Sequence, residues 1–442
     1  MSELLDYADR VWRGESTLHD YHSGALRKRG LWEVTDDIAL WPAFGNVAVC
    51  DTGEGLVFID SGDARTAGAL HAAVRAWRPD APLHTAIFSH GHIDHVFGVG
   101  PFDQEAAERG WARPLVVGHE AMPARFDRYI KTVGYNTVVN RRQFQNVRIS
   151  WPTEFRYPDL TYRDSLQLRL GRLSFQLSHG RGETDDHTYT YVPERKVLYC
   201  GDFFIWASPN ASNPQKVQRF PLQWAQALRQ MASLGAEILL PGHGVPIAGN
   251  ERISTALHDS AELLESLHDQ TVALMNEGAR LNDILHAVRA PQHLLDKPYL
   301  KPSYDEPEFV VRNVWRLYGG WYDGNPATLK PARESELARE FASLAGGPRV
   351  LAARARELAA AGELRLAGHL VETAALAAED DTEVQAARAE VFRALESAST
   401  STMAKGLYGW ASAESRARAS GLDTHAEVDK ATAGRTSWAF GD

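Results

Sequence analysis

Four side chains that can bind a metal ion fall within six consecutive residues of this chain. They are His90, His92, Asp94 and His95, and they follow the apolar segment 85–88, which is typical of a β-strand. Side chains alternate in direction along extended backbone, so His90 and His92 can point to one ion while Asp94 and His95 point to a second. Imidazole and carboxylate ligands favour zinc, with iron or manganese as alternatives. The segment therefore predicts a two-metal centre at the end of a strand.

Short apolar segments alternate with turn-forming residues in the first half of the chain. Residues 38–41, 46–50 and 56–59 are typical of strands that are separated by turns. Residues 64–78 favour an alanine-rich helix, and residues 83–88 favour the strand that precedes the histidine cluster. This alternation of strand and helix predicts a layered α/β fold.

Length and charge exclude several classes of protein. The 442 residues are enough for two or three domains, and a formal net charge of −10 without a sustained Lys/Arg run argues against nucleic-acid binding. No apolar run of about 18 residues occurs, and residues 1–6 are acidic, which predicts a cytoplasmic protein without a membrane span or signal peptide. Cys50 and Cys200 lie in apolar segments, so buried thiols are expected.

The pattern His-x-His-x-Asp-His at residues 90–95 resembles the defining motif of the metallo-β-lactamase superfamily. The resemblance implies an α/β fold of the αββα sandwich type over residues 1–250, with two metal ions. It also implies ligands later in the chain, at the ends of further strands. The implied ligands are His90, His92 and Glu183 for the first ion, Asp94, His95 and His243 for the second, and Asp202 for both.

Glu183 stands where the superfamily commonly has the histidine of a Gly-His-Thr motif. This difference restricts the resemblance to a part of the superfamily. Alkylsulfatases of the superfamily look similar in using a glutamate there, and carboxylate oxygen can replace imidazole nitrogen. His179 and Asp186 remain open as alternatives for this ligand. Asp60 is similar to an aspartate that supports the metal loop in the superfamily, although a simple turn at a strand end is an equal alternative.

The second half of the chain changes to helical patterns from about residue 250. Leucines recur there at helical spacing, at Leu257, Leu264, Leu267 and Leu274. Together with Gly-Trp-Tyr-Asp-Gly-Asn-Pro at 320–326, this half resembles the dimerisation domain of alkylsulfatases. The resemblance implies an all-helical dimerisation domain over residues 251–395 and a homodimer. Residues 396–442 are expected to form a polar C-terminal extension, with no counterpart of the sterol-carrier-like domain that the larger alkylsulfatases carry.

Basic residues near asparagines suggest an anion site. Guanidinium groups present a planar fork of donors to sulfate or phosphate and stay charged. A similar arrangement in alkylsulfatases implies that Asn136, Arg141 and Arg142 bind the anionic group of the substrate; an exposed basic pair without a function is the alternative. The loop 203–219, which contains Asn210, Lys216 and Arg219, also suits an anionic substrate with an apolar part.

The resemblance implies a hydrolase that cleaves a sulfate ester, such as an alkyl sulfate, with a water molecule activated by two zinc ions per chain. Asp94 and Asp202 would hold the ions that activate this water. Hydrolysis of another ester, such as a phosphodiester or lactone, is an alternative because the scaffold is shared. A non-catalytic dimeric metal-binding protein is a third possibility. The expected partners are an anionic small-molecule ester and a second copy of the chain, without nucleic acid or membrane.

Overall fold

The computed structural model describes residues 3–433, and their packing divides them into two compact units. The first unit, unit 1, comprises residues 3–132 and 152–320. The second, unit 2, comprises residues 133–151 and residues from 321 onwards. Compactness does not by itself define a domain, so the domain boundaries predicted at residues 250 and 395 remain predictions.

Sheet A of unit 1 contains strands that lie side by side in chain order. They are β1 (Trp32–Glu33), β2 (Ile38–Trp41), β3 (Val47–Asp51), β4 (Leu56–Ile59), β5 (Leu83–Ile87), β6 (Leu115–His119) and β7 (Leu160–Tyr162). Neighbours are antiparallel from β1 to β4 and parallel from β4 to β7. The parallel β4 and β5 therefore end at the same edge, where Asp60 meets the segment that begins at Ser89.

Sheet B of unit 1 also follows chain order from one edge to the other. Its strands are β8 (Ser165–Leu170), β9 (Leu173–His179), β10 (Thr188–Val192), β11 (Val197–Gly201), β12 (Ile238–Pro241) and β13 (Ile247–Ala248). β11 and β12 are parallel, with Gly201 opposite Pro241, whereas the other neighbours are antiparallel. The residues that follow β11 and β12 consequently emerge next to each other.

The helices alternate with these strands in the first half and dominate the second half. In chain order they begin with α1 (Glu3–Trp12), α2 (His19–His22), α3 (Ala25–Lys28), α4 (Ala67–Trp77), α5 (Gly100–Arg109), α6 (Met122–Lys131), α7 (Val133–Phe144), α8 (Pro221–Ala232) and α9 (Asn250–Asn276). They continue with α10 (Leu281–Ala287), α11 (Gln292–Leu295), α12 (Pro307–Tyr318), α13 (Pro326–Leu329), α14 (Glu334–Ala345), α15 (Pro348–Ala360), α16 (Leu364–Ala377), α17 (Thr382–Ala398), α18 (Thr402–Ser420) and α19 (Thr424–Thr432).

Sheets A and B pack face to face, because Ile59 and Ile87 of sheet A share one buried cluster with Phe175 and Leu198 of sheet B. Phe58 points to the opposite face of sheet A. Its ring meets Phe102 of α5 edge to face at 4.9 Å. Helices α8 and α9 lie on the side of sheet B, where Trp224, Leu257 and Leu264 are buried. The layers are helix, sheet, sheet and helix, which confirms the predicted αββα sandwich.

Helix α9 accounts for the regular leucines beyond residue 250. Leu257, Leu264 and Leu267 are buried and Leu274 is partly buried, as the helical spacing predicts. The helix packs on α8 and belongs to unit 1. It therefore completes the outer layer of the sandwich.

Unit 2 is a bundle of successive helices in which α15 packs on α16, α16 on α17 and α17 on α18. Its core includes Ala355, Val371, Val384 and Val391. Helix α18 also packs on α7 of the same unit, and a Cβ atom at Gly406 would lie only 2.0 Å from the Gln143 carbonyl oxygen. The all-helical character predicted for the second half is confirmed.

The segment predicted to be a polar extension includes α18 and α19. Small side chains explain why its sequence lacks an apolar period: Ala413, Ser412 and Gly409 are buried in α18 beside the larger Met403 and Trp410. Residues 434–442 of the predicted extension lie outside the described residues. Across residues 3–433, no helix combines the length and the apolar character needed to cross a bilayer.

Candidate metal centre

The histidine segment begins two residues beyond β5 and meets residues from three other places in unit 1. His90, His92, Glu183 and Asp202 each offer a ligand atom, and these atoms lie within 4.8 Å of one another. The same holds for Asp94, His95 and His243. The structure thus brings all seven predicted metal ligands into two groups, although their role as ligands remains a proposal.

Asp202 contacts both groups. Its Oδ2 lies 3.7 Å from His90 Nε2 in the first group, and 3.2 Å from His243 Nε2 in the second. Its Oδ1 lies 3.3 Å from His95 Nε2. A carboxylate in this place can bind two ions at once, as the resemblance implies.

The parallel pairing of β11 and β12 brings Asp202 and His243 together. Gly242 must be a glycine here, because a Cβ atom would lie 2.1 Å from Asp202 Oδ1. Gly201 has a φ of +53°, in the left-handed region that favours glycine. The Nδ1 atom of His243 is hydrogen-bonded to the Phe44 carbonyl oxygen, which leaves Nε2 for an ion.

Asp60 lies beneath the histidine segment and accepts several hydrogen bonds there. Its Oδ1 accepts from the Ser89 backbone N–H at 2.6 Å, and its Oδ2 accepts from the Ser89 hydroxyl at 2.7 Å and the Tyr199 hydroxyl at 2.8 Å. His95 Nδ1 lies 2.8 Å from the same Oδ2. Asp60 therefore orients His95 with Nε2 towards the metal group, so the supporting role fits and a simple turn does not.

Asp186 supports the segment from the other side. Its Oδ2 accepts from the Gly91 backbone N–H at 3.0 Å, and its Oδ1 lies 3.0 Å from Arg125 Nε. Burial acts to lower the pKa of Arg125, but Asp186 and other neighbours outweigh burial and raise that pKa above its usual value. The carboxylate of Asp186 is thus already paired with a cation.

His179, the other alternative ligand, has different contacts. Its Nδ1 lies 2.9 Å from the His187 carbonyl oxygen, and its ring stacks on His119 at 3.8 Å. Within residues 3–433, Glu183 is grouped with His90 and His92, whereas His179 and Asp186 are not. The geometry favours Glu183 as the remaining ligand of the first ion.

Two residues of the loop 203–219 contact Glu183 directly. Arg219 Nη1 lies 2.7 Å from Glu183 Oε1, and the Asn210 amide donates to the same oxygen. The sequence suggested that this loop faces a substrate, but it gave no sign of these two partners. His187 was missed as well: its ring stacks on His90 at 4.3 Å, and its Nε2 accepts from the Asp202 backbone N–H at 3.1 Å.

Buried atoms of this cluster that make no hydrogen bond fit divalent ions. Among the described residues, His95 Nε2, Asp202 Oδ1 and Glu183 Oε2 are buried and lack a hydrogen-bond partner. A buried polar atom without a partner is destabilising by about 1–3 kcal/mol, so a bound cation would stabilise all three atoms. Nitrogen and oxygen ligands in this number suit zinc, iron or manganese.

Some ligands, among them His90 and Asp202, have charge states that suit metal binding, whereas three others would lose a proton to an ion. Burial lowers the pKa of His90 well below its usual value, and the neighbouring His187 and His95 lower it further. Burial acts to raise the pKa of Asp202, but His243 and His95 outweigh burial and hold that pKa well below its usual value. Neutral imidazole and ionised carboxylate are the forms that bind metal ions.

The three ligands that would lose a proton are Glu183, His95 and His243. Burial raises the pKa of Glu183 to about 8. Burial acts to lower the pKa values of His95 and His243, but Asp202 outweighs burial and raises both.

The predicted anion-binding residues Asn136, Arg141 and Arg142 all lie on α7 of unit 2. Asn136 is buried, and its carbonyl oxygen accepts from the Asn140 amide at 2.7 Å. Arg141 Nε donates to the Ile149 carbonyl oxygen at 2.8 Å, and both arginines are half-buried. Their assignment to a substrate anion stays a prediction.

Two family profiles match the chain. The profile described as "Metallo-beta-lactamase superfamily" matches residues 40–243, and the profile described as "Alkyl sulfatase dimerisation" matches residues 280–418. The first match begins in β2 and ends at His243, so it includes every member of the two ligand groups. The second begins just before α10 and includes most of the helices of unit 2.

Three relatives carry names of sulfatases. A linear primary-alkylsulfatase of a Pseudomonas species is 27% identical over 336 residues, which cover 71% of this chain and 62% of that protein. An (R)-specific secondary-alkylsulfatase of Pseudomonas is 27% identical and covers 79% of this chain and 58% of that protein. An alkyl/aryl-sulfatase of Saccharomyces cerevisiae is 25% identical, with coverages of 77% and 57%. The chain spans about three fifths of the length of these relatives.

A solved structure shows the same fold. The stereoselective inverting sec-alkylsulfatase Pisa1 of Pseudomonas superposes with a TM-score of 0.77 and 22% identity, covering 89% of this chain and 66% of that one. The two profiles and this fold agree with the layers of unit 1 and the helices of unit 2. Residues 40–243 form a domain of the metallo-β-lactamase superfamily, and residues 280–418 that follow form a domain of the alkylsulfatase dimerisation type.

Proposed function

We propose that the chain is a binuclear-metal hydrolase that cleaves a sulfate ester, such as an alkyl sulfate. The observation that carries the proposal is the meeting of seven ligand-type side chains in two adjoining groups, in a chain whose relatives are named alkylsulfatases. Two zinc ions are the proposed metals, with iron or manganese as alternatives. A cytoplasmic location remains a prediction from the sequence.

Within this proposal, the seven ligands divide between two ions. His90, His92 and Glu183 would bind the first ion, Asp94, His95 and His243 the second, and Asp202 both. When bound, two divalent ions supply an acidified water as the nucleophile and withdraw charge from the leaving oxygen. Asp60 and the Phe44 carbonyl fix the ring nitrogens that face the centre. Asp94 and Asp202 are the catalytic carboxylates in this assignment, because they hold the ions that activate water.

The proposal is tested by metal content and by the product released. We expect about two zinc ions per chain and release of inorganic sulfate from a panel of short and long alkyl sulfates. Matched phosphate esters, phosphodiesters and lactones form the control panel. Phosphate release or lactone opening without sulfate release would assign the chain to another ester. Metal binding without turnover on the whole panel would favour the non-catalytic alternative.

Arg141→Ala is expected to keep both metal ions and to weaken binding of anionic esters. Losing one charge-assisted hydrogen bond of about 1.5–3 kcal/mol raises KM by about 10- to 100-fold, while kcat changes little. Arg148, which is exposed in the same unit, is the matched control, and Arg148→Ala is expected to leave KM unchanged. Equal KM values for the two variants would remove Arg141 from the substrate site.

We further propose that unit 2 forms a homodimer through an apolar face on α14. Leu337, Phe341 and Leu344 recur on this helix at spacings of four and three residues, which places them on one face. All three are exposed, Leu344 to 85%. Trp321, in the same unit, is 74% exposed. Large exposed apolar groups mark interaction surfaces, and the matching profile is described as a dimerisation domain.

Leu337→Glu combined with Leu344→Glu is expected to produce monomers. Each copy would bury two unpaired carboxylates at the contact, so we expect the dimer affinity to fall by at least about 100-fold. Light scattering during size-exclusion chromatography measures the mass directly. Leu422→Glu, at an exposed leucine beyond the matched profile, is the control and should remain dimeric. A double variant that stays dimeric would place the interface elsewhere.

A further inference from the structure

Glu183 brings a negative charge to a place where the wider superfamily commonly has a neutral histidine. Its side chain is only 3% exposed, and a buried carboxylate is strongly destabilising unless a cation and hydrogen bonds accompany it. Arg219 supplies that cation, with Nη1 at 2.7 Å from Oε1 and a side chain that is equally buried. The pair is therefore part of the interior of unit 1.

The guanidinium of Arg219 holds more than the carboxylate. Its Nη1 also donates to the Glu183 backbone carbonyl at 3.1 Å, and its Nε donates to the Ser212 carbonyl at 2.9 Å. The Asn210 amide is a second donor to Oε1. The side chain and the backbone of Glu183 are thus fixed by one arginine, with help from one asparagine.

Arg219 is in turn held in place by α12 and the segment before it. The Asn313 amide of α12 donates to the Arg219 carbonyl at 3.0 Å. Asp305 accepts from the Ser212 backbone N–H at 2.9 Å and from its hydroxyl at 2.6 Å. These contacts lie within unit 1, and they fix both ends of the segment that presents Arg219.

The two oxygens of Glu183 have different surroundings. Oε1 accepts from both Arg219 and Asn210, whereas Oε2 is buried and has no hydrogen-bond partner among residues 3–433. This asymmetry is expected of a carboxylate that is shared between a guanidinium and a metal ion. We propose that Arg219 is a positioning residue of the metal centre, which fixes Glu183 with one oxygen paired and one oxygen available to the first ion. The inference rests on the metal centre proposed above.

The pairing of Glu183 with Arg219 also affects the net charge of the metal centre. Three carboxylates, Asp94, Asp202 and Glu183, offset most of the positive charge of two divalent ions. The positive charge of Arg219 cancels the charge that Glu183 adds relative to a neutral histidine. An anionic ester would therefore meet a centre of the same net charge as one built with histidine.

Zinc affinity of the metal-free full-length protein tests the inference without reference to turnover. Arg219→Met is expected to weaken the binding of one zinc ion by about 10- to 100-fold, as is usual when a residue that orients a ligand is lost. The other ion should bind with unchanged affinity. Arg219→Lys keeps the positive charge but not the planar fork of donors, so it should weaken zinc binding less than Arg219→Met does. Competition with a chromophoric chelator, titrated through two equivalents, resolves the two affinities.

The matched control is Arg229→Met. Arg229 also pairs with a glutamate, with Nε at 2.8 Å from Glu265 Oε1, but this pair is on the surface of α8 and α9. Both zinc affinities should match those of the wild type. Thermal unfolding of each metal-free variant separates loss of a ligand from loss of the fold. If Arg219→Met does not fold, the test rests on Arg219→Lys alone. Weaker binding of one zinc ion would then support the inference, and unchanged binding of both ions would overturn it.

A double-mutant cycle shows whether Arg219 acts through Glu183. After Glu183→Ala, the further change Arg219→Met should not weaken zinc binding again, because its target is gone. Additive losses, equal weakening of both ions, or unchanged affinity in Arg219→Met would each overturn the inference. A wild-type protein that binds two zinc ions but releases no sulfate would refute the sulfatase proposal alone. A wild-type protein that binds no zinc would refute both.

Discussion

Asp202→Ala is expected to abolish hydrolysis and to weaken the binding of both metal ions. The carboxylate lies within 3.7 Å of His90 and 3.2 Å of His243, so its removal takes one ligand from each group. We expect a fall in kcat/KM of at least about 1,000-fold, equivalent to about 4 kcal/mol of transition-state stabilisation. Metal analysis of the purified variant should find well under two ions per chain.

Asp164→Ala is a suitable control for the Asp202 variant. Asp164 lies in the turn between β7 and β8 of the same unit, and its side chain is exposed. Both metal content and turnover should equal those of the wild type. If Asp202→Ala kept two ions and a wild-type rate, the assignment of Asp202 as the shared ligand would be wrong.

His92→Ala is expected to remove the first ion and leave the second. His92 Nδ1 lies 2.8 Å from His90 Nε2 and 3.8 Å from Glu183 Oε1, so it belongs to the first group alone. We expect about one zinc ion per chain and a loss of activity of about 1,000-fold, because a two-metal centre needs both ions to bind and polarise the ester. Elemental analysis and sulfate release measure the two effects separately.

His84→Ala provides the comparison for His92→Ala. His84 lies on β5, the strand that leads to the histidine segment, and its side chain is exposed. We expect two ions and full activity in this variant. Retention of two ions in His92→Ala would show that the first group is assembled differently, whereas loss of both ions would show that the two groups depend on each other.

The four metal-binding residue types at 90–95 pointed to a metal site on the residues alone, whereas Glu183, Asp202 and His243 were expected from the resemblance to the superfamily. Strand ends in neighbouring parallel strands converge, so Asp202 and His243 come together once β11 and β12 pair. The layered fold follows from the same alternation of strand and helix. Local pattern and global fold agree in unit 1, which is why the predicted layers and the observed layers coincide.

The partners of the ligands do not follow from sequence. Arg219 contacts Glu183 from the loop 203–219, and irregular loops have no period that reveals such a contact. Asp186 looked like a possible ligand, whereas it accepts from the Gly91 backbone and pairs with Arg125. The sequence did not indicate helix α18, because its alanine, serine and glycine residues pack closely without forming an apolar stripe.

The seven proposed ligands emerge from both sheets of the sandwich. The histidine segment follows β5 of sheet A, while Asp202 and His243 follow β11 and β12 of sheet B. Ions bound between them would cross-link the two layers, and an unfolded chain would lose that arrangement. The free energy of unfolding would then rise with free zinc, by about 1.4 kcal/mol per tenfold increase for each ion released on unfolding. The midpoint of thermal unfolding would rise with it. Metal supply would thus set the stability of the folded protein as well as its proposed activity.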